Sequence, residues 1–180
     1  MTLLRTLDLE LARPKYAHVE RERRFLVDRA RRPRVEGGAH ILIEDRYIEG
    51  SRLRLRRMTD SASGAMTVKL TKKYGGDPLA QPIVTAYLDE AEYMLLAALP
   101  ARPLVKRRYA VVLPEGELGI DLFEGALGGL ETAEIELQDA AALAAFAMPD
   151  WLVRDVSTDG RYAGAALAQL EAGEVEALIA

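Results

Sequence analysis

The stretch His18-Val19-Glu20-Arg21-Glu22-Arg23-Arg24-Phe25-Leu26-Val27 limits what this chain can fold into more than any other. Phe25, Leu26 and Val27 favour a β-strand. Successive side chains of a strand point to opposite faces, so Glu20, Glu22 and Arg24 share one face. Two carboxylates and a guanidinium on one face are costly to bury, and an ordinary solvated face has no need of them. They become intelligible if that face lines a polar cavity holding a cation and an anion together. Arg21 and Arg23 point the other way, on the side where Phe25 and Val27 follow, which puts the start of the strand near an exposed rim.

Further strands repeat this two-sidedness. Residues 51–58 read SRLRLRRM, with Leu53 and Leu55 on one face and Arg52, Arg54 and Arg56 on the other. Residues 65–71 read AMTVKLT, with Val68 and Leu70 opposed to Thr67, Lys69 and Thr71. The turn 59–64, TDSASG, joins the two runs into a hairpin with a basic face. Residues 130–137, LETAEIEL, set Glu134 and Glu136 against Ile135 and Leu137. Strands are also expected over 40–48, 83–88, 104–113 and 118–123, and helices over 89–99, 138–147 and 163–179. Asp89 is the expected N-cap of the first helix, and Pro100 ends it. Hairpin-length loops between about eight strands predict one α+β domain on a closed, eight-stranded antiparallel β-barrel with flanking helices. Residues 1–17 read as an N-terminal extension and 18–180 as a single domain.

Which face lies inside decides the function class. In a sandwich the apolar faces meet and the charged faces see water. Arg52, Arg54, Arg56 and Lys69 on one face of a hairpin repel one another unless an anion sits among them. A barrel with a polar lumen, its apolar outer face covered by helices, accommodates them all.

Composition closes off other chemistries. The chain has no cysteine and two histidines, His18 and His40, which excludes disulfides, thiolate metal sites and a histidine-rich zinc centre. A net charge of −4 over 180 residues argues against nucleic acid as a partner. No uncharged run is long enough to cross a membrane, and the first residues lack an apolar core of signal-peptide length, so a cytoplasmic location is expected.

Several segments occur together in the order and spacing of the CYTH proteins, the adenylate cyclase/thiamine triphosphatase family of triphosphate tunnel enzymes. They are E-R-E-R-R-F-L-V (20–27), R-L-R-L-R-R (52–57), T-V-K (67–69), V-K-R-R-Y (105–109), G-I-D-L-F-E-G (119–125), L-E-T-A-E-I-E-L (130–137), P-D-W (149–151) and D-V-S-T-D-G-R-Y (155–162). The resemblance spans roughly residues 18–170. It implies a tunnel in which basic side chains grip a triphosphate and carboxylates hold Mg²⁺ or Mn²⁺, with cleavage of the terminal phosphoanhydride. Inorganic triphosphate is the favoured substrate, with thiamine triphosphate or a nucleotide as the other choices. By position, Arg54, Arg56, Lys69, Lys106, Arg108 and Arg161 resemble the family's phosphate ligands, and Arg52 shares the face of Arg54 and Arg56. Glu20, Glu22, Asp121, Glu134 and Glu136 resemble its metal-side carboxylates. Arginine suits bidentate contact with phosphate, and hard divalent ions take oxygen ligands shared with substrate phosphates.

Two departures from the family pattern stand out. The triplet that normally ends in Lys ends here in Arg24. In some members that Lys partners a tyrosine, matched here by Tyr47, to activate water, so Arg24 and Tyr47 are the candidate catalytic pair, although Arg cannot act as a base. Ile83 and Thr85 occupy places where the family usually carries a second acidic pair. A non-catalytic triphosphate or polyphosphate binder with a reduced metal site, and a class IV-like adenylate cyclase, therefore stay open, as does a homodimer.

Overall fold

The structure is a computed structural model and describes residues 15–179; the extension expected over residues 1–17 lies almost wholly outside them. Ten strands follow one another: β1 (His18–Glu20), β2 (Glu22–Val27), β3 (Ile41–Ile48), β4 (Leu53–Asp60), β5 (Met66–Lys73), β6 (Gln81–Leu88), β7 (Ala101–Leu113), β8 (Gly116–Phe123), β9 (Glu131–Glu136) and β10 (Leu152–Asp155). They form one sheet in the order β1-β6-β5-β4-β3-β7-β8-β9-β2-β10. Every neighbouring pair is antiparallel.

The count exceeds the expected eight for two reasons. Residues 152–155 pair with β2. The opening strand, meanwhile, divides at Arg21. Its first half pairs with β6 and its second half with β9 and β10. One short segment of chain thus lies against strands near both ends of the sheet order.

Local chemistry sets the turns. Asp60 accepts backbone N–H bonds from Ala62 and Ser63, at 2.7 and 3.0 Å, and Gly64 takes φ 72°, so the β4–β5 hairpin closes without strain. The helix α1 (Glu90–Ala97) starts at the expected N-cap. The Asp89 carboxylate accepts from Glu92 N–H and the Glu92 carboxylate accepts from Asp89 N–H, a reciprocal cap.

Two apolar clusters lie on the outer face of the sheet. Phe25, Leu118, Ile120, Ala133 and Ile135 of β2, β8 and β9 pack under Leu143 of α2 (Ala140–Ala145), with Phe146 and Trp151. Leu55 and Val68 of β4 and β5 pack under Tyr93 of α1, beside Leu70, Leu88 and Leu96. Each such side chain, fully buried, stabilises the fold by roughly 1.5–3 kcal/mol before entropy is counted. The helices cover the apolar side of these strands, and Arg56 and Lys69 share the opposite side, as the alternation predicts.

A third cluster closes one end of the inner face. Leu26, Leu104 and Phe123 of β2, β7 and β8 meet Val156, Tyr162, Leu167, Val175 and Leu178 of the C-terminal segment. The single helix expected over 163–179 is instead two short ones, α3 (Gly164–Leu167) and α4 (Glu176–Ile179). Gly173 at φ 95° breaks the path, and the break lets both pieces turn apolar side chains into that cluster. Tyr162 fixes it, its hydroxyl donating to the Leu178 carbonyl at 2.6 Å and accepting from Arg154 at 2.7 Å.

Candidate active site

Strand register brings most of the sequence-selected residues onto one face. Asp45 of β3 stands beside Arg56 of β4, and Arg56 beside Lys69 of β5. Arg108 of β7 stands beside Asp121 of β8, and Glu134 of β9 beside Arg24 of β2. Glu22 faces Glu136 across β2 and β9, and Glu20 faces Gln81. Ile83 and Thr85 of β6 lie across from Lys73 and Thr71, on the same face as Lys69. The hydroxyls of Thr71 and Thr85 are 3.1 Å apart.

These groups form a graded ion-pair network. In its deepest part Asp121, fully buried, accepts from Lys106 Nζ at 2.6 Å and from Arg108 Nε at 2.7 Å and Nη2 at 2.6 Å. Arg108 also reaches Glu134. Arg24 donates to Glu134 at 2.8 Å, to Glu22 at 3.2 Å and to the Tyr162 carbonyl at 3.0 Å. Burial pushes the Glu134 carboxyl up, but Arg108, Lys106 and Arg24 outweigh it and hold the group well below the ordinary range. Burial opposes the charge on Arg24, yet Glu134 and Glu22 raise its pKa, so the guanidinium stays charged. Arg24 therefore ties two carboxylates to the C-terminal segment and has no proton-accepting state.

Tyr47, the other half of the candidate catalytic pair, lies two residues from Asp45 on β3. Burial, and next the charge of Asp45, push its phenol up to about 12. The ring packs against the C-terminal cluster, and a Cβ added at Gly164 would lie 1.9 Å from Tyr47 Oη and 2.9 Å from Cζ. Gly164→Ala is therefore expected to destabilise the protein by about 1–3 kcal/mol through forced displacement. Tyr47→Phe in the Gly164→Ala background should recover part of that loss. Thermal melts of the two single variants and the double variant check the coupling.

The basic hairpin carries the least neutralised charge. Arg56 is buried and donates bidentately to Asp45 at 2.6 and 2.7 Å. Arg54 lies 3.8 Å from the same carboxylate, and its buried Nε has no hydrogen-bond partner. Burial, followed by repulsion from Arg56 and Arg54, lowers the Lys69 ammonium below its ordinary value; Glu20 and Asp45 offset this only in part. Arg54 and Lys69 form a locus of positive potential that an anion would relieve.

The outer carboxylates behave oppositely. Lys73 Nζ lies 2.5 Å from Glu20 Oε2 and 3.2 Å from Glu22 Oε1. Partial burial and the charges of Glu20 and Glu22 raise the Glu136 carboxyl above its usual range. Among the described residues no three Asp, Glu or His side chains are gathered as a metal site.

Two of the selected residues stand apart. Arg52 is exposed and donates to the Tyr74 carbonyl at 3.2 Å. Arg161, also exposed, forks onto Asp159 at 2.6–3.1 Å, a local pairing across two residues. Conversely, the structure adds Asp45 and Lys73 to the site. Asp45 is in phase with Tyr47, and Lys73 with Lys69 and Thr71, so the period-2 pattern holds a signal for both. Ending the strand at Thr71 hides Lys73.

The fold and this network define an antiparallel β protein whose sheet carries helix-covered apolar side chains on one face and an ion-pair network on the other. Two structures of the protein NE1496 are similar to it. One, described as a hypothetical protein, matches at 30% identity and TM-score 0.56 over 84% of this chain and 99% of that chain. The other, described as an inorganic triphosphatase, matches at 28% identity and TM-score 0.57 over 86% of this chain and 97% of that chain. The protein bh2851 from Bacillus halodurans shares the fold at 17% identity and TM-score 0.52, over 72% of this chain and 86% of that one. No family model matches the sequence, and no curated protein matches it. The chain belongs to the CYTH family. Among its described residues no helix is long and apolar enough to cross a membrane.

Proposed function

We propose that this protein hydrolyses the terminal phosphoanhydride of a triphosphate, inorganic triphosphate first, within a closed β-tunnel and with a divalent metal. The observation that carries the reading is the under-neutralised pair Arg54 and Lys69, set in a wall of further cations, Arg56, Lys106 and Arg108. A linear polyanion matches that wall better than any neutral ligand does. The description of NE1496 as an inorganic triphosphatase supports the substrate. Closure is supported by the opening strand, which runs from β6 to β9 with only Arg21 between its halves.

The outer carboxylates Glu20, Glu22 and Glu136 are the oxygen donors a hard cation would use, but they are not gathered as a metal site, and Lys73 already pairs with Glu20 and Glu22. A bound Mg²⁺ or Mn²⁺ would supply charge neutralisation and polarisation of phosphoryl oxygens. Asp121 and Glu134 serve differently, as counter-ions that hold Lys106, Arg108 and Arg24 in place. Water forms a bond to the terminal phosphorus, and the bridging P–O bond breaks with its electron pair staying on the diphosphate. Orthophosphate and diphosphate are released. Fixed cations along the anion stabilise the charge that shifts in this step, and phosphoryl transfer depends mainly on such positioning and electrostatics.

Orthophosphate release from tripolyphosphate, measured with Mg²⁺ and with Mn²⁺, tests the reading. Release with at least one metal is expected. Tight binding without release would favour the non-catalytic binder, which the engagement of Arg24, Asp121 and Glu134 by ion pairs also supports. Neither binding nor release would overturn both.

A further inference from the structure

Helix α1 is apolar on both sides. Tyr93, Leu96 and Ala97 turn inward and pack with Leu55 and Val68 of β4 and β5. Ala91, Met94, Leu95 and Ala98 have the i, i+3, i+4, i+7 spacing of a single helical face. All four are exposed, Met94 by 57% and Leu95 by 76%. Ala98, the C-cap, keeps helical backbone angles, and Leu99 just past it is 41% exposed. The outward side of a surface helix is ordinarily polar, and a helix apolar all round is ordinarily covered all round. Among the described residues this outward face lies open.

The pattern along the stripe selects a second copy of this chain as its cover. A two-fold interface is self-complementary: residue i of one copy meets residue j of the other, and j meets i. A two-fold axis midway between Met94 and Leu95, crossing two antiparallel α1 helices, sets Ala91 of one copy against Ala98 of the other and Met94 against Leu95. The alanines let the helix ends approach closely, and the larger side chains fill the middle. The charges agree with that direction. Asp89, Glu90 and Glu92 make the N-terminal end acidic. The C-terminal end carries Arg46, which donates to the Leu99 carbonyl at 3.3 Å, and Arg102, whose side chain is 46% exposed. Antiparallel packing brings each acidic end to the other copy's basic end and sets the helix dipoles in their favourable direction. Glu90 and Arg102 keep local partners in Arg57 and Glu49, so these charges set direction more than strength. An anionic membrane surface, by contrast, would be repelled by the acidic end.

We infer that this protein forms a two-fold homodimer through the outward face of α1, with the two helices antiparallel. Contiguous exposed apolar side chains rimmed by charge mark an interaction site. The stripe is short, about 10 Å from Ala91 to Ala98 at 1.5 Å per residue, so a dimer of micromolar affinity is expected rather than an obligate one. The helix lies behind β4 and β5, on the side opposite Arg56 and Lys69. The contact therefore leaves the ion-pair face open in both copies and braces the basic hairpin from behind. The inference stands whether or not the protein hydrolyses a triphosphate.

Sedimentation equilibrium of the full chain from about 1 to 100 µM tests this, since that range spans micromolar affinity. The wild type is expected to approach twice the mass of one chain at the upper end. Leu95→Glu puts a like charge on both sides of the axis and is expected to weaken the dimer at least about tenfold. Met94→Glu gives a second reading should the first variant fold poorly, with far-UV circular dichroism as the check on folding. The chain has no cysteine, so Ala91→Cys combined with Ala98→Cys reports the direction of packing. Mild oxidation should link the double variant into dimers, and each single variant much less. Two residues this far apart on one helix cannot bridge within a chain. A wild type that stays monomeric at the upper concentration overturns the inference. So does a dimer that both Glu variants leave intact, or a double cysteine variant that links no better than the single ones.

Discussion

Arg54→Ala is expected to weaken tripolyphosphate binding by about ten- to a hundredfold, the loss of charge-assisted contacts to an anion. Arg23→Ala is expected to change binding by less than about twofold and to lower stability by about 1–2 kcal/mol instead. The two arginines differ by face. Arg54 shares the inner face with Arg56 and Lys69, its Nε is buried without a partner, and its nearest carboxylate is 3.8 Å away. Arg23 lies outside, its guanidinium 4.9 Å from the Phe25 ring centroid. It donates to Asp155 at 2.8 and 3.0 Å and to the carbonyls of Leu143 and Phe146 at 3.3 and 3.1 Å. It thus fastens α2 and β10 to the sheet. Calorimetric titration with tripolyphosphate, paired with urea denaturation, reads both quantities on both variants. Equal losses of affinity would mean that the anion does not bind on the inner face.

The charged inner face was legible because its strands alternate with period 2. Leu53, Leu55, Val68 and Leu70 mark one side of the hairpin, so the side of Arg54, Arg56 and Lys69 follows without knowledge of the fold. The same rule fails where two charges are adjacent. In Glu44-Asp45 one carboxylate faces Arg57 and the other faces Arg56, and only the register across β3 and β4 decides which one is buried. Lys72-Lys73 poses the same ambiguity at a strand end. The pairing of Arg161 with Asp159 reflects a local turn, in which Asp159 also caps the Arg161 N–H at 3.1 Å, and a residue's place in a family motif does not encode that choice. The break at Arg21 and the division of the last helix are tertiary effects. Each lets one segment of chain contact two separate parts of the sheet or core.

Asp121→Asn is expected to cost about 3–5 kcal/mol of stability, the scale for removing one partner from a buried ion pair. The side chain is fully buried and keeps Lys106 and Arg108 charged and in place. Burial already lowers the Lys106 ammonium, and Asp121 is the first of the charges that oppose this. An amide preserves the shape but leaves those cations with Glu134 as their remaining carboxylate partner, and Glu134 is itself shared with Arg24. The position in the sequence resembles a metal ligand, whereas the contacts are those of a counter-ion, and the two roles separate in a melting experiment. For a counter-ion, the drop in Tm is the same in EDTA as in Mg²⁺. Tripolyphosphate should then raise the Tm of Asp121→Asn more than that of the wild type, because a bound anion restores the missing negative charge. A variant that melts like the wild type in EDTA, and falls behind it only when metal is added, would instead make Asp121 a metal ligand. In that case the cationic wall would owe its order to the metal as well as to its own carboxylates.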